Sequence, residues 1–120
     1  MRNQPKYNFF KNTNYALKGL LDLIKTESSF RIELVVFIVL IPVVIFVETT
    51  LSNKLLMFVS LMFMLIAEAV NSAIERVVDL VTLEHHEMAG RAKDVGSSIV
   101  FLSIFLFVIV WASVFLDLLF

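Results

Sequence analysis

Three long apolar runs separated by short polar intervals dominate the chain. The first is LVVFIVLIPVVIFV, Leu34 to Val47, bracketed by Glu33 and Glu48. Extended back over Phe30 and Ile32, it predicts a helix of roughly 18–20 residues, enough to cross a bilayer. Pro42 lies inside it, and in a membrane helix a proline is accommodated with a kink. The second run starts at Leu55 and has Ser60 as its only polar member up to Ala67, where it passes into EAVNSAIERVVD. The third, IVFLSIFLFVIVWASVFL from Ile99 to Leu116, is the clearest span. Its Trp111 lies toward the far end, where an aromatic at headgroup level is expected. The predicted spans cover residues 30–48, 54–80 and 95–117, give or take a turn.

The N-terminal segment has a different period. In FKNTNYALKGLLDLIK, Phe10, Leu17, Leu20, Leu21 and Ile24 share one helical face, while Lys11, Lys18, Asp22 and Lys25 share the other. This predicts an amphipathic helix over residues 6–26. Its basic face suits a helix lying on a membrane surface; its apolar face equally suits packing against the protein's own spans. TESS, Thr26 to Ser29, marks a break before the first span, and ETTLSNK, Glu48 to Lys54, a tight polar turn after it. The expected fold is a single domain, residues 1–120: an all-α membrane protein with an N-terminal surface helix and three transmembrane helices.

Composition sharpens this picture. The chain is 59% hydrophobic over 120 residues, against about 45–50% in soluble domains. A net charge of -1 gives no bulk basicity for nucleic acid. The absence of cysteine excludes a disulfide framework, a thiol nucleophile and a thiolate metal site. The polar start, MRNQPKYNFFKNTNYALKG, carries no short apolar core before a cleavage site, so no removable signal peptide is expected. Arg2, Lys6, Lys11, Lys18, Lys25 and Arg31 precede the first span, and Arg76, Arg91 and Lys93 lie between the second and third. By the positive-inside rule both regions face the cytoplasm.

The end of the second span is the energetic anomaly. At ~100° per residue, Glu68, Asn71, Ser72, Glu75 and Asp79 fall within a sector about 100° wide, one polar stripe on a helix. A charged side chain at the centre of a membrane helix costs on the order of 2.5–3.5 kcal/mol, so such a stripe should face protein or a wet cavity. Interhelical hydrogen bonding is the plain structural reading, and a helix end emerging into water is another. Glu68 fits both poorly, because it is still bracketed by apolar residues and a carboxylate is a costly form of glue.

A second cluster falls near the same surface: Glu27 in TES, and Arg91, Lys93, Asp94, Ser97 and Ser98 in GRAKDVGSS. Carboxylates with oxygen and nitrogen neighbours suit a hard cation such as Mg²⁺, and Lys93 and Arg91 suit phosphate oxygens. Gly90 and Gly96 read either as turn glycines or as points of close backbone approach. Neither GxxxxGK[ST] nor GxGxxG occurs. His85 and His86 are adjacent and project apart, which speaks against a transition-metal site. The residues alone fit Mg²⁺-assisted phosphoryl transfer to a lipid hydroxyl, a proton or cation conductor using Glu68 and Glu75 as relays, or a structural membrane subunit.

EAVNSAIERVVD followed by EHHEMAGRAKDVGS resembles the prokaryotic integral-membrane diacylglycerol kinases, whose pattern is E-x-x-N-(S/T)-A-I-E-x-x-x-D with a downstream A-K-D. The likeness covers nearly the whole chain, including NYALKGL and TESSFRIE. The resemblance implies a homotrimer of three-span protomers in the bacterial inner membrane. Its active sites are shared between protomers at the cytosolic boundary, where MgATP phosphorylates diacylglycerol to phosphatidic acid. By position, Glu68 resembles the general base, and a poorly solvated carboxylate is the better proton acceptor. Glu27 and Glu75 resemble the metal ligands. Tyr15, Asn71, Glu84, His85, His86, Lys93 and Asp94 resemble nucleotide-site residues. Ser29, Phe30, Arg31, Ile32, Glu33, Ser97 and Trp111 match lipid-substrate positions, as does Glu68.

There are departures. Asn8 stands where Gram-negative members carry an arginine, with Lys6 or Lys11 as candidate substitutes; His85 replaces a tyrosine, and Ala16 a serine. A related branch phosphorylates undecaprenol; its loop reads nearer HHPLAKAAKD and it lacks the glutamate of FRIE. HHEMAGRAKD and Glu33 place this chain nearer the diacylglycerol branch.

Overall fold

A computed structural model describes residues 5–120; Arg2, counted above among the basic residues, lies outside them. The described residues fold as four helices: α1 (Phe9–Thr26), α2 (Ser28–Phe46), α3 (Leu51–Val81) and α4 (Glu87–Leu119). The last three are long and apolar enough to cross a membrane. The fold is therefore all-α, with an amphipathic helix ahead of three spans, as the periodicity predicts.

Several helix ends have a local cause. Asn8 caps α1, its side chain accepting the Lys11 amide at 3.1 Å. At the other end of α1, the Arg31 guanidinium donates to the carbonyls of Ile24 (2.9 Å) and Lys25 (3.0 Å). A cation on orphan carbonyls at a helix C-terminus is favoured by hydrogen bonding and by the helix dipole. Glu27 sits at the corner, with extended backbone. α2 runs through Pro42 and ends one turn later. The Lys54 ammonium closes that end on the Ile45 carbonyl at 2.7 Å. Thr50 then caps α3, accepting from the Asn53 amide at 3.2 Å, so the polar turn spans only 47–50.

The largest departure from the sequence reading is at α4. Its hydrophobic run begins near Ile99, yet the helix begins at Glu87. The His86 imidazole caps it, Nδ1 accepting the Met88 amide at 3.1 Å. Most of EHHEMAGRAKD is thus helix, and the connection from α3 is only residues 82–86. Gly90 and Gly96 are helical residues and not turn glycines, and neither has positive φ.

α3 is the central element, packing against α4 along its length and against α2 on another side. The apolar core gathers at the end of the bundle remote from Glu68: Val44, Met57, Leu61, Trp111 and Val114. Trp111 belongs to this core. It is buried in this core, with its indole N–H 3.1 Å from Ser60 Oγ and 3.4 Å from the Met57 carbonyl. Ser60, the one polar residue in its run, is the indole's partner. At 1.5 Å per residue, Ser60 lies about 12 Å along α3 from Glu68. Within one chain Trp111 is therefore a packing anchor, distant from the carboxylates. Trp111→Ala is expected to lower the melting temperature in detergent by on the order of 10 °C, and Trp111→Phe by much less. Equal losses in thermal scans of the two variants would show that the ring's bulk is not what anchors α4.

Candidate active site

The polar stripe of α3 descends from the bundle interior toward water. Glu68, Asn71 and Ser72 are buried, Glu75 is half-buried, and Asp79 is exposed. Asn71 Nδ2 donates to Glu75 Oε1 at 3.2 Å, one helical turn on. The other end of that amide, Oδ1, is buried without a hydrogen-bond partner and lies against the backbone of Gly96. Asp79 reaches across to α4, where Lys93 Nζ meets its Oδ1 at 2.7 Å. The stripe therefore faces α4 and the α2–α3 side, as its cost in lipid requires.

Glu68 is 6% exposed. The charges of Glu75 and Glu27 reach it, and its own charge reaches Glu33 on the first turns of α2. Glu33 carries a second orphan, a buried Oε2 with no partner. Four carboxylates from α2, α3 and the α1–α2 corner thus crowd one end of the bundle. Such a concentration of negative charge in a poorly hydrated place calls for cations. Arg76 on Glu27 (3.2 Å) supplies one of them, while Lys93 pairs with the exposed Asp79 beyond the cluster.

Two clefts are lined by neighbouring stretches of the same helices. One, of about 340 Å³, is lined only by apolar atoms, among them Leu20 and Ile24 of α1, Phe30 and Leu34 of α2, and Met62 and Ala69 of α3. Phe30, 3% exposed, is part of its lining. The other, of about 270 Å³ and mostly polar, lies where α3 passes into α4, lined by Asp79, Thr82, Glu84, His85, His86 and Lys93. The Glu84 amide donates to Thr82 Oγ1 at 3.1 Å, which folds the connection back into the cleft wall.

The residues singled out in the sequence distribute as follows. Glu27, Glu33, Glu68, Asn71 and Glu75 come together, and Glu84, His85, His86 and Lys93 line the polar cleft. Tyr15 is exposed on α1, and Asp94 and Ser97 are exposed on α4. In the SFRIE segment Phe30 lines the apolar cleft, Arg31 caps α1, and Ser29 and Ile32 are exposed. Trp111 stands apart. Sequence reasoning missed Arg76 as anything but a topological charge. Its Nη1 bonds Asp22, and its Nη2 bonds Thr26 Oγ1 at 2.9 Å as well as Glu27. No sequence signal marks partners about fifty positions away.

Among the described residues no three carboxylate or imidazole groups converge closely enough to hold a metal ion alone. Mg²⁺ is commonly held by one or two carboxylates together with substrate phosphates, and carboxylates such as Glu27 and Glu75 are donors that could take part in such a site.

A helical protein with three helices able to span a membrane and a buried carboxylate on the central one falls in the class of small integral-membrane proteins with polar chemistry in their bundle. The chain belongs to the prokaryotic diacylglycerol kinase family, a family of lipid kinases, whose model matches residues 14–115. It is 40% identical over 103 residues to a diacylglycerol kinase from Haemophilus influenzae, covering 86% of this chain and 87% of that one. It is 36% identical over 104 residues to a diacylglycerol kinase from Pseudomonas aeruginosa, covering 87% and 85%. An undecaprenol kinase from Bacillus subtilis is 30% identical over 92 residues, covering 77% and 75%.

Proposed function

We propose that this lipid kinase transfers the γ-phosphoryl group of MgATP to the primary hydroxyl of diacylglycerol, at the cytoplasmic face of the bacterial inner membrane. The observation that carries this reading is the burial of Glu68 on α3, whose Met62, Leu65, Ile66 and Ala69 line an apolar cleft, with the charges of Glu27, Glu33 and Glu75 acting on the same region. A lipid lying with a chain in that cleft would present its hydroxyl at the polar end. Glu68 accepts the hydroxyl proton as the oxygen bonds to the γ-phosphorus and the bond to the ADP oxygen breaks. When bound, Mg²⁺ would neutralise and orient the nucleotide phosphates. Glu27 and Glu75 are the residues that would hold it, and Asn71 aims Glu75 through its 3.2 Å hydrogen bond. Lys93 exchanges Asp79 for phosphate oxygens, and Glu84, His85 and His86 flank the base and ribose. Protomers assemble as a trimer with active sites shared between them.

Diacylglycerol is favoured over undecaprenol because Glu33 and the HHEMAGRAKD segment follow that branch, and because the two diacylglycerol kinases above are more similar to this chain than the undecaprenol kinase. The test presents both lipids, side by side in mixed micelles, to purified protein with ATP. Phosphate should enter diacylglycerol at least tenfold faster, and chelating Mg²⁺ with EDTA should abolish incorporation. Preference for undecaprenol would move the chain to the other branch, and incorporation into neither would end the kinase reading. Nucleotide-independent ion flux in liposomes, lost in Glu68→Gln, would instead support a conductor.

A further inference from the structure

Arg76 is the residue of EAVNSAIERVVD that the polar stripe leaves out. It sits next to Glu75 in sequence, yet it faces α1 while Glu75 bonds Asn71. Its guanidinium gathers three acceptors from the last turn of α1 and the corner beyond it: the Asp22 carboxylate, Thr26 Oγ1 at 2.9 Å and Glu27 Oε1 at 3.2 Å. Among the described residues, these supply the ion pairs that join the α1 end of the chain to α3. α1 buries none of its residues, so apolar packing alone holds it weakly. Beneath it lies a cleft whose floor and roof include the small residues Ala16, Gly19, Ala69 and Ala73 and which ends at Arg76. The helix that roofs the apolar cleft is therefore fastened chiefly by one side chain of α3, with the Arg31 cap at its end.

The same side chain also holds Glu27. A carboxylate oxygen accepting from a guanidinium is not free for a metal, and a cation approaching it meets like charge. Asp22 and Thr26 draw the guanidinium the other way, toward α1. We propose that Arg76 is a positioning residue that couples the seat of α1 to the availability of Glu27, gripping both through one guanidinium. The proposal rests on the reading of Glu27 as part of the Mg²⁺–nucleotide site.

The two grips compete for one group, so their variants should act in opposite directions. Arg76→Gln frees Glu27 and loosens α1. Asp22→Asn loosens α1 but leaves the guanidinium more fully on Glu27. The test uses the full chain in lipid nanodiscs, with Mn²⁺ and a non-hydrolysable ATP analogue as the probe. Bound Mn²⁺ is read by electron paramagnetic resonance, and the seat of α1 by amide hydrogen exchange. Arg76→Gln is expected to bind Mn²⁺ about three- to tenfold more tightly and Asp22→Asn about two- to fivefold more weakly, the modest scale of half-exposed ion pairs. Both should speed exchange across α1, and the double variant should match Arg76→Gln in Mn²⁺ affinity.

Shifts of Mn²⁺ affinity in the same direction, or none, would overturn the coupling. If the wild-type chain binds no Mn²⁺–nucleotide, the site reading itself fails and the coupling with it; the grip on α1 is then judged by exchange alone, and unchanged exchange in Arg76→Gln removes that as well. Should Arg76→Gln not assemble, Arg76→Lys carries the test: an ammonium keeps one grip at a time and should give intermediate exchange and intermediate affinity.

Discussion

Glu68→Gln is expected to lower the turnover number for lipid phosphorylation by about 10²–10⁴, the usual worth of a general base. The substitution keeps shape and volume and removes only the capacity to take a proton. Glu68 is 6% exposed on the buried part of α3, so the variant tests chemistry with little disturbance of packing. Folding should not suffer: one charge fewer among Glu27, Glu33, Glu68 and Glu75 relieves repulsion in a poorly hydrated place. Nucleotide affinity should stay within about threefold of the parent, because Glu75, Asn71 and Lys93 are untouched. Glu68→Asp keeps a carboxylate but withdraws it by one methylene, and should retain more activity than the amide. Steady-state kinetics with nucleotide titration and a thermal scan separate these effects. Turnover within threefold of the parent in Glu68→Gln would take the proton-accepting role away from this residue.

How much of this was legible before the structure differs by kind of information. The stripe was fully legible, because helical spacing alone puts residues 68, 71, 72, 75 and 79 on one side, and the cost of charge in lipid says that side must be covered. The structure grades it from buried Glu68 to exposed Asp79, as a span leaving the membrane would. Hydropathy marks apolar spans and leaves the helix ends unread, most visibly at α4. It reports where lipid begins, whereas a helix begins where its first amides find a cap, and His86 provides one well before Ile99. Trp111 shows a related limit: an aromatic near a span's end is legible as such, but its partner is not, and only the packing of α4 on α3 brings Ser60 to the indole. Arg31 and Arg76 looked like topology signals. Their hydrogen bonds to α1 depend on a chain reversal at Glu27 that no local period describes.

Gly96→Ala is expected to raise the KM for MgATP by about tenfold and to lower the melting temperature by several degrees, while Gly90→Ala does neither. In a helix interior the exchange of glycine for alanine ordinarily stabilises, by roughly 0.5–1 kcal/mol. Gly90 has open space around the position a Cβ would take and should show that gain. Gly96 is buried, and a Cβ there would collide with Asn71 Oδ1, with Asn71 Cγ and Ile74 Cδ1 each at 3.5 Å. The glycine is present for room and not for backbone freedom, since its φ is not positive. To admit the methyl group, either α4 moves off α3 or the Asn71 amide turns away. In the second case the 3.2 Å hydrogen bond to Glu75 breaks and the proposed metal ligand loses its aim. A double-mutant cycle distinguishes the two responses. In an Asn71→Ala background the collision partner is gone, so Gly96→Ala should restore the lost thermal stability without restoring the MgATP dependence. If MgATP dependence is unchanged in Gly96→Ala alone, the close approach of α4 is a matter of packing and Asn71 orients Glu75 without it.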